Sequence, residues 1–187
     1  MNIVNSRLEF FENFPKNSIG AEIGVDAGGN CMNNLLPIVK PKMLYLIDIW
    51  DDLYPTDRNL SINKVNNHLQ LKKIKKIKYD KIVKNLGHSD NIKILKYDSS
   101  EACKYIEDNT LDWVYIDGCH TYESVTNDLN NYYPKVKKGG IISGDDYNEM
   151  DEILKESKKA IDDFMKKHNK DFFLMSKSKS VDWAFIK

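Results

Sequence analysis

Ala21-Glu22-Ile23-Gly24-Val25-Asp26-Ala27-Gly28-Gly29-Asn30 reads as the end of a buried strand turning through glycines into a helix. In an α/β sheet, this is where a nucleotide-like cofactor is held. A dinucleotide fingerprint needs glycine at its second position, so that the backbone can approach a pyrophosphate. Here Gly24 and Gly29 fit the first and third glycines, but Asp26 stands at the second. A carboxylate there crowds and repels a diphosphate. S-adenosylmethionine has no phosphate and carries an ammonium and a sulfonium. Glu22 and Asp26 suit those cations. A glycine-rich turn without a ligand is the plain alternative.

Outward from this turn, apolar runs alternate with helical patterns, the signature of a parallel α/β sheet. Strands are expected at Ser18–Ile23, Met43–Ile47, Ile92–Tyr97, Trp113–Ile116 and Gly140–Ser143. Phe172–Ser176 and Val181–Ile186 flank the polar turn Lys177–Ser180 and read as an antiparallel hairpin. Helices are expected at Ile3–Phe11, Gly29–Val39, Ile62–Leu86, Ser100–Ile106, Tyr122–Tyr133 and Glu149–Lys167. Asp51–Leu60, with Pro55 and many polar residues, reads as a loop at a strand end, a place that carries substrate contacts.

At 187 residues, with no repeat and no linker, one domain over 1–187 is expected. Basic and acidic residues balance at 28 each, so global charge does not point to nucleic acid or to a membrane surface. No apolar run reaches the ~18 residues of a membrane span, and the N-terminus lacks a signal-peptide core. Cys31, Cys103 and Cys119 form no CxxC pair, which suits free thiols in a reducing compartment. The chain therefore reads as soluble and cytoplasmic. The one strongly basic stretch holds Lys72, Lys73, Lys75, Lys76, Lys78, Lys81 and Lys84 between Leu71, Ile74, Ile77, Ile82 and Val83. It reads first as a solvated amphipathic helix, and second as a face for anions or a partner.

Asp48 ends the second strand and is placed to accept hydrogen bonds from ribose hydroxyls; Trp50 follows as a pocket wall or a packing residue. Asp98 and Ser99 follow the third strand and fall near an adenine by the same strand-end logic, while also suiting a helix N-cap. The second constellation is Tyr115-Ile116-Asp117-Gly118-Cys119-His120 with Ser143-Gly144-Asp145-Asp146-Tyr147. If the two strands are neighbours, Asp117, Asp145 and Asp146 converge at the carboxyl edge beside the cofactor. Packed carboxylates repel unless something neutralises them. An all-oxygen set favours Mg, Ca or Mn over Zn. The alternative is that Asp146 caps a helix and Asp117 serves a turn. His120 can act as a general base near neutral pH, contact substrate, or pack. Tyr122 and Tyr147 read as pocket walls or as core. Cys119 reads as a plain loop cysteine.

Three blocks together resemble the class I S-adenosylmethionine-dependent methyltransferases, and among them the macrocin-type sugar O-methyltransferases. They are Glu-x-Gly-x-x-x-Gly at Glu22 to Gly28, Ile-Asp-Gly-x-His-x-Tyr at Ile116 to Tyr122, and the Gly-Gly to Asp-Asp-Tyr block at Gly139 to Tyr147. The resemblance covers about Gly20 to Tyr147. It implies a Rossmann-like, doubly wound sheet of seven strands, mostly parallel and ending in an antiparallel hairpin. It implies cofactor contacts at Glu22, Gly24, Gly28, Asp48 and Asp98, and a Mg ion held by Asp117, Asp145 and Asp146. Some relatives carry a further acid where this chain has Cys119, which leaves His120 as the candidate base. A homodimer is a further expectation from the resemblance.

The reading that follows is a Mg-assisted O-methyltransferase for a small-molecule hydroxyl, a sugar or other vicinal diol. His120 and Asp117 carry the chemistry. Glu22, Gly24, Asp26, Gly28, Asp48, Trp50, Asp98, Ser99 and Asp117 line the cofactor. Two alternatives stand beside it. One is a metal-independent methyltransferase for a nitrogen or a macromolecule; the other is a non-catalytic α/β binding module.

Overall fold

The computed structural model describes residues 1–50, 64–148, 152–177 and 180–187. The expected loop Asp51–Leu60 and the starts of the helices expected from Ile62 and Glu149 lie outside the described residues.

One sheet organises the molecule. Its strands are β1 (Asn2–Val4), β2 (Ile19–Ile23), β3 (Met43–Ile47), β4 (Ile92–Leu95), β5 (Leu111–Ile116), β6 (Val136–Gly144), β7 (Phe172–Ser176) and β8 (Trp183–Ile186). Their order is β1-β7-β8-β6-β5-β2-β3-β4. β4, β3, β2, β5 and β6 run parallel, and β8 is antiparallel to both β6 and β7. The doubly wound α/β sheet with a reversed C-terminal hairpin is thus the fold, with eight strands rather than seven.

The eighth strand corrects the reading of Ile3–Phe11 as one helix. Asn2–Val4 adds in parallel to the edge of β7, pairing Asn2 with Leu174. Ser6 then starts α1 (Arg7–Glu12) as its N-cap, in extended backbone, accepting the Glu9 N–H at 3.2 Å. A three-residue strand is too short for a period to reveal it.

Helices cover both faces. α3 (Ser99–Ala102), α4 (Tyr122–Tyr132) and α5 (Glu152–Lys167) pack on one side, burying Ala102, Val125, Leu129, Ile161 and Phe164 against Ala21, Val114 and Ile142. α1, a π-helix over Cys31–Val39, and α2 (Lys64–Leu86) pack on the other, burying Phe10, Phe11, Leu35 and Ile82 against Leu44, Leu46, Trp113 and Tyr115. The π-helix contains Pro37, and its widened turn closes with Lys40 N–H donating to Leu35 O at 3.1 Å. Close approach of β2 to β5 needs Gly20, because a Cβ there would lie 2.1 Å from the Trp113 ring. Every strand that ends near the glycine turn points its carboxyl end to the same edge.

Candidate active site

The glycine turn is built by backbone contact between β2 and β5. Gly24 has φ +88°, and a Cβ on it would stand 1.9 Å from the Asp117 carbonyl oxygen. Only glycine fits, and the cofactor loop thereby lies directly against the Asp117 loop. Gly24 N–H donates to Ile47 O at 2.8 Å, and Asp117 N–H to Ile23 O at 2.8 Å. Glu22, near the end of β2, is buried. Its Oε1 accepts from Asn30 Nδ2 at 2.9 Å, while its Oε2 is buried with no hydrogen-bond partner. Burial pushes the Glu22 carboxyl up to about 8. An orphaned buried carboxylate oxygen costs stability unless something else meets it.

Asp48 holds the turn in shape. Its Oδ2 accepts the Asp26 N–H and its Oδ1 the Trp50 N–H, both at 2.8 Å. The Trp50 indole N–H donates to Asp26 O at 2.7 Å, and the ring is buried against Tyr79 at 5.2 Å. Asp26 faces elsewhere than the charge pattern suggested. Its carboxylate meets Lys78 at 2.5 Å and Lys75 at 3.9 Å, so α2 already supplies it with cations. Asp26 contributes its backbone to the turn and its side chain to the α2 contact. Asp98 caps α3 by accepting the Ser100 N–H at 3.0 Å. Ser99 opens that helix, and its hydroxyl donates to the buried Asp128 at 2.5 Å.

β5 and β6 are neighbours, with Ile116 opposite Gly144, so the two acidic loops do meet. Asp117, His120 and Asp146 each offer a ligand atom, and these atoms lie within 4.8 Å of one another. His120 Nε2 stands 3.4 Å from Asp146 Oδ2. Burial, then Asp145 and Glu22, raise the Asp117 carboxyl to about 8. Two carboxylates and an imidazole at this spacing fit a divalent cation. Asp145 lies outside that trio. Its carboxylate is taken by Arg7 and the Ser180 hydroxyl, and its Oδ1 also accepts the Asp146 N–H at 2.7 Å. Ser180 reaches Asp146 Oδ1 as well, at 2.8 Å. Tyr122 and Tyr147 turn toward α5, donating to Asp163 at 3.0 Å and Asp162 at 2.6 Å.

Arg7 was not singled out in the sequence, yet it ties the N-terminal segment to this edge. Besides Asp145 it meets Asp182 at 2.9 Å. Asp182 is fully buried and also accepts from the Tyr115 hydroxyl at 2.7 Å and the Ser176 hydroxyl at 2.7 Å. Burial disfavours the Arg7 charge, but Tyr115, Asp182 and Asp145 outweigh it and keep the guanidinium protonated. The one available signal was compositional: Arg7 and Arg58 are two arginines among 28 basic residues. A planar fork can bridge two carboxylates where a lysine cannot.

Residues 21–147 match the profile of a family described as a methyltransferase domain. The chain belongs to this methyltransferase family. This agrees with the methyltransferase reading of the sequence. A stretch of 66 residues is 44% identical to an uncharacterized protein of Acanthamoeba polyphaga mimivirus, over 33% of this chain and 30% of that protein. This chain thus spans under a third of that curated relative. Among solved structures, the O-methyltransferase NovP superposes with a TM-score of 0.66 at 21% identity, over 97% of this chain and 80% of NovP. A provisionally assigned methyltransferase of Streptococcus mutans, solved in complex with SAH, has a TM-score of 0.59 at 12% identity, over 96% of this chain and 94% of that one. At these identities the structural likeness speaks for the fold. Among the described residues, no helix is long and apolar enough to cross a membrane.

Proposed function

We propose that this methyltransferase acts on a hydroxyl of a small molecule, a sugar or other vicinal diol, with a divalent cation at the β5–β6 edge. The observation that carries the reading is the meeting of Asp117, His120 and Asp146 within 4.8 Å, with the Asp117 backbone packed against Gly24. Glu22, with its partnerless buried oxygen, fits a cationic group of the cofactor. Asp48 stands at the ribose position, and Asp98 and Ser99 at the adenine position. Bound S-adenosylmethionine supplies the methyl group, and a bound Mg lowers the pKa of a coordinated hydroxyl.

The chain's own residues do the rest. Asp117 and Asp146 would hold the cation, with His120 completing the set. Asp145 and Ser180 fix the Asp146 loop. His120, when not a ligand, takes the acceptor proton at Nε2, with Asp146 beside it to stabilise the imidazolium. Positioning and charge stabilisation provide the acceleration. The resemblance to macrocin-type enzymes and the fold likeness to NovP both favour oxygen as the acceptor.

The test is methyl transfer from labelled S-adenosylmethionine to a panel of sugars and catechols. Mg-dependent turnover that falls at least 100-fold in Asp146→Asn is the expected result. Turnover undiminished by excess EDTA rules out the cation, and transfer confined to amines rules out the hydroxyl. A macromolecular acceptor is favoured by one feature, the exposed lysines of α2. It predicts nucleic-acid binding that weakens steeply with salt.

A further inference from the structure

Asp128 is a buried carboxyl that none of the chemistry above uses. It sits in the interior of α4, where aspartate is a poor helix former, and it is 3% exposed. The described residues give its carboxyl one hydrogen bond, from the Ser99 hydroxyl at 2.5 Å. A single hydroxyl does not repay the burial of a carboxylate. A leucine in its place would pack against Val125 and Leu129 without that penalty. Such a costly group calls for a specific explanation.

Its neighbours supply one. Tyr132 lies one turn further along the same face of α4, and its hydroxyl donates to the Ser99 carbonyl at 2.9 Å. Ser99 is therefore gripped twice by α4, at its side chain by Asp128 and at its backbone by Tyr132. Asp98, immediately before it, caps α3 and ends the β4 loop. Its other oxygen lies near Gly118 of the β5–α4 loop, 3.6 Å from where a Cβ there would stand.

We propose that Asp128 is a positioning residue for the adenine subsite, acting through Ser99 to fix the Asp98–Ser99 loop against α4. The proposal rests on the cofactor reading above. Asp128 touches no substrate; it sets where Asp98 and the Ser99 backbone meet the purine edge. Loss of the hydrogen bond should therefore weaken recognition of the 6-amino group more than binding of the amino-acid end.

The experiment compares dissociation constants of S-adenosylhomocysteine and S-inosylhomocysteine, which differs in carrying a 6-oxo group. The full chain is used as wild type, Asp128→Asn, Asp128→Leu and Ser99→Ala. Asp128→Asn keeps an acceptor for Ser99 and should bind S-adenosylhomocysteine within threefold of wild type. Asp128→Leu should bind it about tenfold more weakly, with its preference for adenine over hypoxanthine reduced to within twofold of unity. Ser99→Ala cuts the same bond from the other side and should show the same loss of preference, so that an unchanged preference there overturns the proposal even if the leucine variant does not fold. An unchanged adenine preference in folded Asp128→Leu, or in Ser99→Ala, overturns the proposal. If wild type binds neither ligand, the cofactor reading itself fails, and this proposal falls with it.

Discussion

Replacing Arg7 by methionine removes a cation that two buried carboxylates, Asp145 and Asp182, share. Asp182 is fully buried, and Asp145 has a side-chain exposure of 8%. Hydroxyls and an amide N–H also meet them. Breaking a buried ion pair from one side costs about 3–5 kcal/mol. The Arg7 side chain is 26% exposed, so water screens part of its field and the lower end applies, about 3 kcal/mol. For a chain of this size each kcal/mol moves the melting temperature by about 2–4 °C, so the loss should be about 6–12 °C.

The cost has a pH signature. Burial raises the Asp182 carboxyl despite Arg7, Ser176 and Tyr115, which favour its charge. Without Arg7 it rises further. The variant's deficit should therefore be larger near neutral pH, where the Asp182 carboxyl must ionise, and should shrink in acid as it takes up a proton. Thermal unfolding of wild type, Arg7→Met, Asp182→Asn and the double variant measures it. The double variant should recover at least 1 kcal/mol of the summed single losses. If Arg7→Met costs less than about 0.5 kcal/mol at pH 7.5, the network is not holding the N-terminal segment to the site and the argument is wrong.

Three further outcomes follow from the same geometry. Glu22, Asp117 and Asp128 are raised to about 8, 8 and 7, above their ordinary values, so the folded protein binds more protons than the unfolded chain between about pH 4 and pH 8. Ligand-free stability should fall as pH rises through that window, and Glu22→Gln should flatten the fall in a melting series. Gly24→Ala meets the Asp117 backbone at 1.9 Å with φ at +88°, and should lose more than about 2 kcal/mol and all cofactor binding in denaturant titration. Lys78→Ala frees the Asp26 carboxylate on an exposed face and should change stability by less than about 1 kcal/mol in the same titration.

The central strands and the edge that carries the site were legible because both are written in local pattern. The runs Ile19–Ile23, Met43–Ile47 and Trp113–Ile116 are apolar on both faces apart from Glu22, and each ends at a glycine or an aspartate, as strands covered on two sides do. The neighbourhood of β5 and β6 followed from the doubly wound sheet type, and with it the meeting of Asp117 with Asp146. β1 was hidden because three residues carry no period. The length of β6 was hidden because Lys137, Lys138 and two glycines interrupt its apolar run. The contact of Asp26 with Lys75 and Lys78 could not be read from the charge pattern, since they lie about fifty residues away in sequence. Arg7, Ser180 and Asp182 were invisible for the same reason: their meaning lies in partners that only the folded sheet brings together. Asp128 gave a signal that could have been read, a lone acid on the apolar stripe of Val125, Leu129 and Tyr132.

The account stands or falls on the cofactor. Calorimetric titration of S-adenosylhomocysteine into the purified chain, with and without Mg, tests it most directly. Binding in the micromolar range, about −8 kcal/mol, that is lost in Glu22→Leu, is the predicted result. No heat in either condition from a folded protein would contradict the reading of Glu22, Gly24 and Asp48 as a cofactor site.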